Sequence, residues 1–128
     1  MSAFLSPAWL GELAEAAAAS DGLRRAAGGV VLTVAHRVTG GPQGDVEYRV
    51  RFRDGAIEVL SGPGPCDVTV EQPYATAAAI SRGELAPSEA FATGQLRLGG
   101  QPRLLADHRE VFAQLDDVFA TVRATTSY

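Results

Sequence analysis

The stretch DVEYRVRFRD, residues 45–54, alternates without a break, placing Val46, Tyr48, Val50 and Phe52 on one side and Glu47, Arg49, Arg51 and Arg53 on the other. A period of two is the signature of a strand with one dry face and one wet face. A sheet built from such strands accepts helices on one side only. The preceding run VVLTVAHRVT, residues 30–39, repeats the pattern, with Val30, Leu32, Val34, His36 and Val38 on one side. The glycine-rich residues 40–44 read as a hairpin loop and Asp54-Gly55 as a tight turn, after which Ile57 and Val59 continue the alternation. These three segments predict an antiparallel meander.

The flanking sequence supplies the helices. Ser6 and Pro7 read as a cap and first residue, with Leu5 placed to staple against Leu10, and Leu10, Leu13, Ala14 and Ala17 share a face with Trp9 beside it. That helix is expected to end before Gly28-Gly29. SGPGP at residues 61–65 breaks the meander, and a fourth strand is expected from Cys66 to Glu71 with Val68 and Val70 inward. Pro73 opens an alanine-rich helix closed by Gly83, and Pro87 opens a short one closed by Gly94. Leu96 and Leu98 flank Arg97 in a fifth strand. Beyond Pro102, apolar residues from Leu104 to Val122 at spacings of three and four predict one helix to nearly the end. The expected fold is a single α+β domain over residues 1–128, a five-stranded mostly antiparallel sheet with crossover strands and helices on one face.

Composition narrows the function. The 128 residues carry a formal charge of -4, which argues against nucleic acid as partner. All 11 cations are arginine. Cys66 stands alone, so no internal disulfide or thiolate zinc site is available, and no metal or cofactor motif is present. Glu12 and Glu15 interrupt the first apolar run before a signal or spanning length, which makes the cytoplasm the expected compartment.

SEAFATGQLRLGG, residues 88–100, has the glycine spacing of a phosphate loop at Gly94 and Gly99. Gly100 and Gln101 stand where Lys and a hydroxyl residue are required, and the alternation of Leu96 and Leu98 holds the glycines apart. The glycines therefore read as a helix cap and a strand-to-helix turn. Taken with CDVTVE at 66–71, SRGEL at 81–85, AFATGQLRLGG at 90–100 and the long closing helix, the chain resembles the sterol carrier protein family, type 2-like. Gln95 and Gln101 depart from that pattern, where a Lys and an Asp are common. The resemblance implies an apolar cavity between sheet and helices that binds sterols, fatty acids or fatty acyl groups without consuming them.

On that implication Phe91, Phe112, Leu115 and Phe119 would line the cavity, with Val34, Trp9, Tyr48 and Phe52 as further ligand-binding candidates; each is equally a residue type that simply fills a core. His36 and Tyr48 fall on the same side of partner strands, where they could form a polar pair that orients a head group or acts as acid and base on an apolar, polyketide-like substrate. His108, beside Asp107, lacks further metal ligands; Asp67 reads as a turn-fixing carboxylate and Cys66 as a packed thiol. Arg37, Arg49, Arg51 and Arg53 share the wet face, where they could contact a membrane surface or an acidic partner, or serve a dimerisation module. A non-catalytic carrier of a hydrophobic small molecule is the first expectation, with the cavity enzyme and the interaction module as alternatives.

Overall fold

A computed structural model describes residues 2–128. In chain order the elements are β1 (Ser2–Ala3), α1 (Pro7–Ala19), α2 (Asp21–Ala26), β2 (Val31–Gly41), β3 (Gly44–Arg53), β4 (Ala56–Ser61) and β5 (Val68–Pro73). They continue with α3 (Tyr74–Ser81), α4 (Pro87–Ala92), β6 (Arg97–Gly100), α5 (Arg103–Asp107), α6 (Arg109–Arg123) and β7 (Thr126–Ser127).

The main sheet runs β4-β3-β2-β5-β6, with β2 and β5 parallel at its centre and the other pairs antiparallel. The alternation in the sequence becomes the register: Leu32 faces Phe52, Val34 faces Val50 and His36 faces Tyr48. Leu32, Val34, Val50 and Phe52 are buried, whereas Arg37 and Arg53 across the pleat are exposed. The meander half of the sheet is tightly covered, since α1 and α2 bring Leu13, Leu23, Ala17 and Ala27 into the same core cluster as Val50 and Phe52.

Several boundaries differ from expectation, and β6 (Arg97–Gly100) starts after Leu96 and takes in Gly99 and Gly100, residues expected to form a strand-to-helix turn. The first helix breaks at Ser20, whose extended backbone (φ −84°, ψ 103°) ends α1 while its hydroxyl accepts the Leu23 N–H and caps α2. The closing helix breaks at His108 (φ −118°, ψ 33°), so α5 and α6 are separate pieces. The fourth strand starts at Val68 rather than Cys66 and runs on to Pro73, because Asp67 is occupied in a clamp. Its backbone N–H donates to the Thr33 carbonyl and its carboxylate accepts the Thr33 N–H, both at 2.8 Å. The turn-fixing role expected of Asp67 is thus a cross-strand one. Cys66 is exposed instead of packed.

The two ends of the chain are tied together by β1 and β7, which pair in parallel through Ser2 with Thr126 and Ala3 with Ser127. Strands of two residues are below what periodicity can reveal. The tie continues in side chains: Trp9 Nε1 donates to Thr126 Oγ1 (3.2 Å), and the Tyr128 hydroxyl hydrogen-bonds the Ser81 hydroxyl at 2.5 Å. The Arg82 guanidinium lies over the Tyr128 ring, 4.6 Å from its centroid.

Candidate functional site

Between the sheet and α6 lies a cavity of about 720 Å³. Its sheet side is made by Val34, His36 and Val38 of β2, Tyr48 of β3, Val70 and Gln72 of β5 and Leu98 of β6. On the opposite side Phe112, Leu115 and Phe119 descend from α6 at helical spacing. Ala77 and Ile80 of α3, the turn around Leu85, and Phe91 of α4 close one flank, while Phe4 and Leu5 approach from the terminal tie.

The space exists because α3 is an alanine helix. Ala77 and Ala78 are buried against the sheet with nothing beyond Cβ to extend into the layer. Large groups from β2, β5 and α6 therefore face one another across a gap that the small helix does not fill. β4 contributes no residue to the lining.

Of the residues expected at a cavity, Val34, Tyr48, Phe91, Phe112, Leu115 and Phe119 lie on its wall. Trp9 and Phe52 do not. Trp9, 1% exposed, is held behind the wall by its Thr126 bond and by stacking against Phe119. Phe52, fully buried, meets the Phe112 ring edge-on from the filled half of the core. Both are core residues one layer back. Phe91 is 54% exposed and stands where the cavity meets solvent, so it is not packed into a core.

His36 and Tyr48 come together as the sequence suggested, but through their faces. The rings are parallel to within 7°, with centroids 4.8 Å apart. Burial lowers the His36 pKa to about 4 and pushes the Tyr48 phenol above its ordinary range. His36 is therefore neutral near pH 7 and Tyr48 stays protonated. His36 Nε2 is buried without a hydrogen-bond partner among the described residues, and so is Gln72 Oε1.

Gln72 was missed by the sequence reading, which stopped the fourth strand at Glu71. The signal was present: continuing the period of two from Val68 and Val70 puts residue 72 on the inward face. Arg109, Asp116 and Arg123 of α6 are also on the wall, and they are its only full charges among the described residues. The Arg123 side chain donates to the Ser81 carbonyl, while burial, and then Asp117, holds the Asp116 carboxyl above its usual range.

The arginines of the meander lie on the opposite face of the sheet. Arg37 pairs with Glu47, its cross-strand neighbour, and Arg51 meets Glu58 with two donor atoms at 2.9–3.2 Å. No three His, Cys, Asp or Glu side chains converge as metal ligands among the described residues. None of their helices is long and apolar enough to cross a membrane.

Comparison with known proteins bears on this architecture directly. The profile of the SCP-2 sterol transfer family matches residues 10–113. The chain belongs to that family. Among solved structures, this SCP-2 family chain superimposes on a conserved hypothetical protein from Thermus thermophilus, suggested to be a sterol carrier protein, with a TM-score of 0.77, 23% identity and 95% of each chain covered. It superimposes equally on a sterol carrier protein 2 structure, at TM-score 0.77 and 23% identity over 91% of this chain and 96% of that one. A palmitated SCP2L2 from Aedes aegypti matches at TM-score 0.51 and 21% identity over 71% and 74% of the two chains. These likenesses establish the fold. No curated protein matches the sequence.

Proposed function

We propose that this SCP-2 family protein binds and carries a hydrophobic small molecule, a sterol, fatty acid or fatty acyl chain, between its sheet and α6 without transforming it. The observation that carries this reading is the cavity itself. Its volume of about 720 Å³ falls in the range of small-molecule sites, about 300–1,000 Å³, and valine, leucine, isoleucine and phenylalanine make most of its wall. The palmitated Aedes aegypti relative supports the reading from the side of the fold.

The state of His36 and Tyr48 weighs against acid-base chemistry on an apolar substrate. A base serves best when its pKa lies near the working pH. His36 is depressed well below that and Tyr48 is raised away from it. Their face-to-face stacking also leaves no hydrogen bond along which a proton would pass.

Delipidated protein incubated with palmitate or cholesterol should retain one ligand per chain in native mass spectrometry. A chain that retains neither, with a dry interior, would overturn the proposal.

A further inference from the structure

We propose that the polar head of the ligand is a hydroxyl, held at the sheet side of the cavity by His36 and Gln72. The inference rests on the carrier reading and adds to it a chemical class of head group and the residues that select it.

Two observations combine. His36 Nε2 and Gln72 Oε1 are buried polar atoms without partners among the described residues, and both residues line the cavity. Orphaned buried polar groups carry a desolvation cost, which a ligand group able to pair with them removes. The two residues are neighbours by register. Gln72 stands opposite Val38, two positions along β2 from His36, on the same face of adjacent parallel strands. Gln72 Oε1 only accepts, so it calls for a donor. A neutral imidazole nitrogen either donates or accepts, according to its tautomer. A hydroxyl satisfies either atom, since it donates one hydrogen and keeps two lone pairs.

An ionised carboxylate has no hydrogen to give Gln72. It would also bring a charge to a side of the cavity where no cation stands among the described residues, because Arg109 and Arg123 are both on α6. An ether or hydrocarbon of equal length leaves Gln72 Oε1 orphaned. With the Gln72 amide turned so that its oxygen is the buried atom, the site is complementary to an alcohol and mismatched to an acid or an ether.

The test uses delipidated full-length protein at pH 8 with an equimolar mixture of hexadecan-1-ol, 1-methoxyhexadecane and hexadecanoate. After gel filtration the retained amounts are read by mass spectrometry. The expected result is about a tenfold preference for the alcohol over both competitors, as one added hydrogen bond to a buried orphan implies. Gln72→Met, which keeps length and loses the acceptor, should bring the alcohol-to-ether ratio several-fold closer to one, and His36→Leu with it closer still.

Equal retention of alcohol and ether by the unaltered protein, or a preference for hexadecanoate, overturns the hydroxyl site and leaves the carrier reading standing. So does a preference unchanged in folded Gln72→Met and His36→Leu proteins. Retention of none of the three overturns both. The ligand comparison in unaltered protein decides the matter even where a variant fails to fold.

Discussion

The backbone of Gly100 sits so close to the Asp67 carbonyl oxygen that a Cβ there would be driven deep inside van der Waals contact. Gly100 also has φ 73°, and the next residue, Gln101, donates its N–H to the same carbonyl at 2.9 Å. Strain in the left-handed region and steric overlap act together at one position. Gly100→Ala should therefore lower stability by about 2 kcal/mol or more and the melting temperature by several degrees. A change within about 0.5 kcal/mol, the range of an ordinary surface substitution, would contradict this account.

Neutral burial of His36 gives the fold an acid sensitivity. Its pKa is about 4 in the folded protein against 6.5 as the ordinary value, so the unfolded chain takes up the proton first. Stability from this group is complete above pH 6.5 and is lost as the pH falls toward 4, by an amount on the order of 2 kcal/mol. Urea midpoints measured from pH 7 to pH 4 should fall, and His36→Phe should flatten that slope. Parallel slopes in both proteins would refute the assignment.

Among the side-chain contacts of the terminal tie is a buried hydrogen bond from Trp9 Nε1 to Thr126 Oγ1. Thr126→Val keeps the shape, leaves the indole N–H unpaired and also removes the hydroxyl's hydrogen bond to the Val122 carbonyl. The expected cost is about 1–3 kcal/mol in chemical denaturation. Because Trp9 is the single tryptophan, its fluorescence should report the same loosening. An unchanged midpoint and spectrum would remove the bond from the tie.

Phe91 is expected to separate binding from folding. More than half exposed, it contributes little to the core yet borders the cavity. Phe91→Asp is expected to leave stability within about 0.5 kcal/mol while weakening retention of an apolar ligand several-fold. Retention equal to that of the unaltered protein would take Phe91 out of the binding surface.

Much of the architecture was readable because periodicity reports faces. Val46, Tyr48, Val50 and Phe52 announced the inward face of β3, and Leu115, Val118 and Val122 that of α6. Periodicity does not report depth, which is why Trp9 and Phe52, correct in direction, lie one layer behind the wall. Nor does it report where a helix breaks when no glycine or proline marks the place, as at Ser20 and His108. Gln72 was legible in principle and lost to a strand boundary set two residues short, at Glu71 instead of Pro73. The cavity was signalled only indirectly, by the contrast between the alanines of α3 and the bulky residues facing them, because volume depends on how layers close and not on any local pattern.

The central parallel pairing of β2 with β5 separates a half of the sheet closed by local contacts from a half closed by distant ones. The meander closes through short loops and is covered by α1 and α2, whereas β5 joins β2 across a register offset of 34 residues, from Val34 to Val68. Local contacts carry a smaller loop-closure cost than distant ones, so the meander is expected to form first. The sheet side of the cavity runs mainly from β2 across β5 to β6, with Tyr48 its one wall residue from β3, and the small side chains of α3 leave that half short of internal contacts. A bound molecule would supply them, serving as a piece of hydrophobic core that the chain does not encode. On the carrier proposal, cargo would act as a folding partner, and amide exchange in β5, β6 and α3 should slow on loading while that in β3 and β4 stays nearly constant.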